Sequence, residues 1–293
     1  MENVVELKGV TKNFKGFSVE NMNLEVKQGC ITGFIGENGA GISTTLKMIM
    51  NLLRPDAGEV NIFGMNYRQH EKEIKQRIGF VCDSNVYYEG LNVKDIKRIV
   101  APAYKQWDDA LFHRYVDQFE LPLNKAIKKF SKGMQMKVSL AIALSHQAEL
   151  IIMDEPTAGL DSIFRRELLH VLQELKEDRQ RTIFFSTHIT TDLDRIADYI
   201  AFIHKGNLIF NYSTHEIEEN YTLVKGSLDL LDWETEQVFV HVHRTSTGFE
   251  ALAKNIQDVE HTFGNDVIME RASLEDIMYH YKGGMKHAKF NMA

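Results

Sequence analysis

A glycine-rich stretch between an apolar run and a helical run constrains the fold of this chain more than any other feature of the sequence. Residues 30–36, CITGFIG, are typical of a short buried strand, and residues 43–53, STTLKMIMNLL, have helical spacing. The stretch GENGAGIST, residues 36–44, joins them. Glycines in such a turn allow successive main-chain N–H groups to point at one anion, so this succession predicts a phosphate-binding loop that opens a helix.

One residue of the loop departs from the phosphate-binding pattern G-x-x-x-x-G-K-[ST]. Gly36, Gly41 and Ser43 take their places in that pattern, but Ile42 stands where the pattern has lysine. Two interpretations are open on the loop alone. It is either a nucleotide site that lacks its charged side chain or a glycine-rich turn that never bound a phosphate.

The composition excludes several classes of protein. The chain has 293 residues, of which 44% are hydrophobic and 26% charged, as in ordinary globular proteins. Its net charge of −7 argues against a general nucleic-acid binder, so we expect no nucleic-acid partner. No apolar run reaches the ~18 residues of a membrane span, and we expect a cytoplasmic protein in which Cys30 and Cys82 are buried thiols.

Apolar strand patterns and helical patterns alternate along the first 215 residues. Strands are predicted at residues 4–10, 17–26, 30–36, 77–83, 150–154, 182–188, 199–206 and 207–213, and helices over about 92–145 and at 163–177. This alternation predicts an α/β domain at residues 1–215, with a sheet covered by helices on both faces. The composition changes after about residue 215, and residues 216–293 are predicted to form a small accessory module with strands and helices.

An acidic pair follows the apolar strand at residues 150–154. This strand delivers Asp154 to the carboxyl edge of the sheet, where ligands bind in such folds. Mg²⁺ prefers hard oxygen ligands, which Ser43 and Asp154 can supply, and Glu155 can position or deprotonate a water molecule. The alternative is a strand that ends in a solvated acidic pair.

Three further features occur in loops near the ends of strands and helices. Ser131 and Gly133 in FSKGMQ, residues 130–135, open a helix and can present donors to an anion, or Ser131 is an ordinary N-cap. Asp161 in PTAGLD follows Glu155 after a proline turn, and it could simply cap the next helix. His188 follows an apolar strand, where a lone histidine is most often a polar loop residue.

Together these motifs resemble the ATP-binding cassette (ABC) family of ATPases over about residues 4–215. Residues 36–44 resemble the Walker A loop, 130–135 the signature motif, and 150–155 the Walker B strand with its catalytic glutamate. Asp161 matches the D-loop and His188 the switch histidine. Phe14 lies where the family has an aromatic residue that stacks on adenine, or it is a core aromatic at a strand end.

The resemblance implies an ABC ATPase core with a mostly parallel sheet, an antiparallel β subdomain and a helical signature subdomain at about residues 90–145. It implies ATP and Mg²⁺ as cofactors, with Mg²⁺ on Ser43, Asp83 and Asp154 and with Glu155 and His188 as the catalytic residues. The nucleotide is assigned to Phe14, Gly36, Asn38, Gly39, Ala40, Gly41, Ile42, Ser43 and Thr44. In a head-to-tail dimer, the second subunit adds Ser131, Gly133, Gln135 and Asp161.

Ile42 is the main departure from the family, because the lysine donates charge-assisted hydrogen bonds to phosphate, worth roughly 1.5–3 kcal/mol each. The main-chain N–H groups of residues 39–44 remain, so we expect weakened ATP binding and strongly reduced hydrolysis. Either a single engineered or accidental substitution removed the lysine, or the site is naturally impaired and this subunit forms a heterodimer with a subunit whose site is active. Asp83 replaces the family's usual glutamine, and Lys132 and Met134 depart from the signature.

Residues 186–209 and the ending ASLEDIMYHYK resemble bacterial exporter ATPases that work with a separate integral membrane permease subunit. The resemblance implies a location at the inner face of the cell membrane. The most specific function that the resemblance suggests is export of amphipathic peptides such as phenol-soluble modulins. The alternatives are a soluble ABC ATPase in assembly or regulation and a catalytically impaired ATP-binding regulatory subunit.

Overall fold

The computed structural model describes residues 2–82, 87–177 and 181–290, which fall into two compact units that divide between Asn211 and Tyr212. The strands of the first unit, the last of which runs past the division, are β1 (Asn3–Phe14), β2 (Phe17–Lys27), β3 (Ile31–Gly36), β4 (Ala57–Ile62), β5 (Met65–Asn66), β6 (Ile78–Cys82), β7 (Leu150–Asp154), β8 (Thr182–Ser186), β9 (Tyr199–His204) and β10 (Asn207–Ser213). Its helices are α1 (Ile42–Ile49), α2 (Tyr67–Gln76), α3 (Val93–Val100), α4 (Asp109–Gln118), α5 (Lys132–Ser145), α6 (Ser162–Glu177) and α7 (Thr190–Ile196).

The described strands of the first unit form two sheets. The central sheet has the order β10-β9-β3-β8-β7-β6, and its strands β9, β3, β8, β7 and β6 run parallel. Every residue of β3 and β8 is buried, as expected for strands that are covered on both faces. A second, antiparallel sheet has the order β2-β1-β4-β5. The predicted α/β fold, with a mostly parallel sheet and a separate antiparallel sheet, is therefore confirmed.

The helical elements differ from the predicted helices at two places. The sequence predicts a helix over residues 43–53, whereas α1 ends at Ile49. Asn51 has a φ of 56°, a left-handed conformation that a continuing right-handed helix does not allow. The helical region at about 92–145 contains α3, α4 and α5 with loops between them, and Pro102 lies in the short 3₁₀ segment that follows α3.

The second unit is built around an antiparallel sheet of order β12-β13-β11-β14. Its elements are α8 (Thr214–Asn220), β11 (Thr222–Gly226), β12 (Phe239–Arg244), β13 (Phe249–Ala253), α9 (Ile256–Phe263), β14 (Ile268–Arg271) and α10 (Leu274–Phe290). A separate apolar core, which includes Val224, Phe249 and Phe263, lies beneath this sheet. Among the helices of the described residues in either unit, none has both the length and the apolar character to cross a membrane.

A buried histidine fixes the carboxyl end of α5, the helix that begins beside Ser131. His146 is the C-cap residue of α5 and is 1% exposed. Its ring stacks on Tyr104, with the ring centroids 3.8 Å apart and an angle of 12° between the planes. Burial lowers the pKa of His146 from 6.5 to about 4, so the folded protein holds this ring neutral at pH values where the unfolded chain protonates it.

We expect the free energy of unfolding to fall as the pH drops from about 7.5 to about 5, in part because the unfolded state binds a proton at His146 that the folded state excludes. This contribution is about 2 kcal/mol at pH 5. His146→Phe keeps a ring on Tyr104 and removes the titration. Urea unfolding of both proteins at the two pH values checks this, and an equal loss of stability in both would contradict it.

Candidate active site

Close packing fixes the shape of the glycine-rich loop between β3 and α1. A Cβ atom on Gly36 would lie 2.5 Å from the main-chain oxygen of Ile203 in β9. Gly41 has a φ of 116°, and a Cβ atom there would lie 3.0 Å from side-chain atoms of Ile203 and Val19. Gly39 has a φ of 82°, but a Cβ atom there would meet no atom within 4 Å. The first two glycines are needed for packing, and the third leaves an open approach to the main chain.

The loop borders a cavity of about 440 Å³. The described residues that line it are Phe17, Gly36, Glu37, Asn38, Gly39, Gly41, Ile42, Ser43, Thr44, Asp154 and Glu155. Three of them are acidic, and none of them is lysine, arginine or histidine. Ile42 also packs against the apolar core beneath the loop. The main-chain geometry of a phosphate-binding loop is therefore present, while the described residues that line the cavity provide no cationic side chain.

Asp154 reaches the cavity from the end of β7. In the parallel pairing of β7 with β8, Asp154 lies opposite Ser186, whose Oγ donates a hydrogen bond to Asp154 Oδ1 at 2.7 Å. The Asp154 carboxylate and the Ser43 hydroxyl border the same cavity. This donor set is the oxygen chemistry that Mg²⁺ prefers. Asp83, the third residue assigned to the metal, lies outside the described residues.

Glu155 has an unusual backbone conformation and a histidine partner. Its φ is 49°, a left-handed conformation that is uncommon for a residue other than glycine. The Glu155 N–H donates to the main-chain oxygen of Ser186 at 3.0 Å. The carboxylate Oε2 lies 2.8 Å from His188 Nδ1. The backbone and the histidine thus hold one carboxylate at the edge of the cavity, where it can accept a proton from a water molecule.

The signature and D-loop residues make local hydrogen bonds and do not belong to the described lining of this cavity. Ser131 Oγ accepts from the Met134 N–H at 3.2 Å as the N-cap of α5. Asp161 Oδ1 accepts from the N–H groups of Ile163 and Phe164 at the start of α6. The side-chain nitrogen of Gln135 donates to main-chain oxygens at the preceding turn. The capping role considered for Ser131 and Asp161 is the one that they have within a single chain.

An aromatic pair lies at one side of the loop. Phe14 is 46% exposed, so it is not a core aromatic, and it stacks on Phe17 with the ring centroids 6.4 Å apart. Phe17 lines the cavity, whereas Phe14 is not among the described residues that line it. Sequence reasoning missed both Phe17 and Ser186. A serine at the end of the apolar strand TIFFS, beside a strand that ends in aspartate, is the one signal that could have identified Ser186.

Comparison with known proteins places this site in a family. The family model described as ABC transporter matches residues 19–158. The bacitracin transport ATP-binding protein BcrA of Bacillus licheniformis is 30% identical, over 97% of this chain and 99% of that protein. The ABC transporter ATP-binding protein NatA of Bacillus subtilis is 32% identical, over 69% of this chain and 85% of that protein.

Solved structures agree with these relatives. An ATP-binding subunit of an ABC transporter superposes with a TM-score of 0.67 at 29% identity, over 73% of this chain and 92% of that one. The ATP-binding cassette MJ0796, in a dimeric post-hydrolysis state bound to ADP and phosphate, has a TM-score of 0.63 at 25% identity, over 71% of this chain and 98% of that one. This chain therefore belongs to the ABC transporter family and is an ATPase subunit of the bacterial type.

Proposed function

We propose that this chain is the nucleotide-binding subunit of an ABC exporter and that it couples ATP binding and hydrolysis in a head-to-tail dimer to transport by a separate membrane subunit. One observation carries the proposal. The glycine loop, the Ser43 hydroxyl, Asp154 and Glu155 all border one cavity, at the carboxyl edge of a parallel sheet. That arrangement brings phosphate-binding N–H groups, metal-ligating oxygens and a proton acceptor to the same place.

The residues around the cavity fit a magnesium nucleotide. The N–H groups of Gly39 and of residues 41–44 at the start of α1 bind the phosphates, as helix N-termini do, whereas the Ala40 N–H donates to the main-chain oxygen of Glu37 at 2.9 Å. Ser43 and Asp154 would hold Mg²⁺, and Ser186 keeps the Asp154 carboxylate in place. The ion would neutralise part of the negative charge of the phosphates. Glu155, oriented by His188, accepts the proton of the attacking water.

A second subunit completes the site in this proposal. Ser131, Gly133, Gln135 and Asp161 do not belong to the described lining of the cavity in their own chain, so they serve the nucleotide only if another chain presents them. The similar cassette MJ0796 is dimeric in a structure bound to ADP and phosphate, which supports this arrangement. The second subunit is either another copy of this chain or a related competent one.

The name of one relative supports a class of cargo. BcrA is described as a bacitracin transport protein, and bacitracin is a peptide. We therefore extend the proposal to export of an amphipathic peptide, by a permease at the inner face of the cell membrane. Ile42 favours a second candidate, an ATP-binding regulatory subunit that turns over slowly, because the described lining of the cavity provides no cationic side chain.

Restoring the lysine should activate the chain. We expect Ile42→Lys to raise kcat/KM for Mg-ATP by about 10- to 150-fold, because a charge-assisted hydrogen bond to phosphate is worth roughly 1.5–3 kcal/mol. Phosphate release by purified proteins measures this. Ile42→Met, which changes the side chain without adding charge, is the control. A parent chain that already hydrolyses ATP as fast as Ile42→Lys would contradict the expected impairment.

The exporter assignment predicts a stable membrane partner. Affinity purification of the full-length chain from detergent-solubilised cells should retain an integral membrane protein with several spans, in a fixed ratio to the chain. Preparations in the presence of Mg-ATP and without nucleotide show whether the association depends on the closed dimer. Recovery of soluble partners alone would favour the assembly or regulatory alternatives over the exporter.

A further inference from the structure

The start of α5 and the start of α6 form one packed block in the first unit. Gly133 lies against the ring of Phe164, so closely that a Cβ atom would be 2.5 Å from the Phe164 Cδ1 atom. Lys137 Nζ lies 4.7 Å from the centroid of the same ring and 3.6 Å from a carboxylate oxygen of Glu167. These contacts hold the signature motif in a fixed position relative to the loop that contains Asp161.

Lys132 lies on this block. It is the first residue of α5 and directly follows the N-cap Ser131. Its side chain runs along Gly159, in the loop between Glu155 and α6, because a Cβ atom on that glycine would lie 3.7 Å from both Cδ and Nζ of Lys132. The block therefore carries the Ser131 hydroxyl and an ammonium group on adjacent residues of one helix start.

The described lining of the nucleotide cavity is acidic, whereas the start of α5 carries the cationic side chain of Lys132. Its described lining contains Glu37, Asp154 and Glu155 and no cationic side chain. A triphosphate with one Mg²⁺ still carries a net negative charge of about two, and an acidic surround raises the cost of binding it. A side chain outside this lining must therefore supply any compensating cation.

We propose that Lys132 of one copy supplies this cation to the triphosphate held by the glycine loop of a second copy, in the position that Ile42 leaves without charge. The inference rests on the head-to-tail dimer of the proposed function. In that dimer Ser131 faces the phosphate of the other copy, and Lys132 is the adjacent residue at the same helix start. A lysine ammonium is a compact point charge with three donors and suits this role.

This assignment couples nucleotide affinity to dimer formation. A single copy binds Mg-ATP through its main-chain N–H groups and through Ser43 and Asp154, with no cationic side chain in the described lining, and the affinity rises when a second copy brings Lys132 to the phosphates. Removal of Lys132 therefore weakens the closed ATP-bound dimer and leaves the affinity of the monomer unchanged. A purely structural role for Lys132 in holding the 155–161 loop would weaken both.

A double-mutant cycle tests the proposal. The four proteins are the parent, Lys132→Met, Ile42→Lys and the double variant. Sedimentation velocity measures Mg-ATP-driven dimerisation, and a fluorescent ATP analogue measures affinity at concentrations below dimerisation. We expect Lys132→Met to weaken ATP-driven dimerisation by about 10-fold or more in the Ile42 chain and by less than about 3-fold in the Ile42→Lys chain, with monomer affinity unchanged in both.

Controls separate charge from fold. Lys129→Met removes an exposed lysine close by in sequence and should leave dimerisation unchanged, whereas Lys132→Arg should retain most of it. Circular dichroism and thermal unfolding verify that each variant is folded. Equal effects of Lys132→Met in the two chains, or a loss of monomer affinity, would overturn the role of Lys132. Failure of Ile42→Lys to dimerise with Mg-ATP would instead overturn the head-to-tail dimer, and the role of Lys132 with it.

Discussion

The contact between the glycine loop and the turn after β9 is the constraint on which the site depends. The Gly36 backbone approaches the main-chain oxygen of Ile203 so closely that no side chain fits between them. The N–H of Gly206, in the turn before β10, donates to the main-chain oxygen of Ala40 at 2.8 Å. The loop is therefore held in a phosphate-binding shape by its neighbours in the sheet, and this shape does not require a lysine at the position of Ile42.

The rest of the site follows from the parallel pairing of β3, β8 and β7, which aligns three strand ends at one edge. Ser186 bonds to the Asp154 side chain and to the Glu155 backbone, and so it joins the proposed metal ligand and the proposed proton acceptor in one hydrogen-bonded unit. The strained φ of Glu155 persists because this unit holds it. The described cavity lining contains no cationic side chain. In the proposed function the main-chain dipoles therefore bind the phosphates, and the proposed cation comes from a second copy.

The sequence predicts most of the fold, because strands buried on both faces appear as continuous apolar runs between helical patterns. It also predicts the loop, Asp154 and Glu155, each of which lies next to a distinctive local pattern. It does not predict Ser186 or Phe17, since their roles come from pairing and packing with residues far away in the chain. The predicted extent of the helix after the loop is wrong beyond Ile49, because a left-handed residue two positions later ends it.

Calorimetric titration of the full-length chain with Mg-ATP tests the central claim. The claim is that the main-chain N–H groups of the glycine-rich loop still bind a triphosphate although Ile42 stands at the lysine position. The account predicts heat of binding with one site per chain and an affinity about 10- to 150-fold weaker than that of Ile42→Lys under the same conditions. No detectable heat in either protein would contradict it, and would leave a cassette fold in which the glycine loop holds no nucleotide.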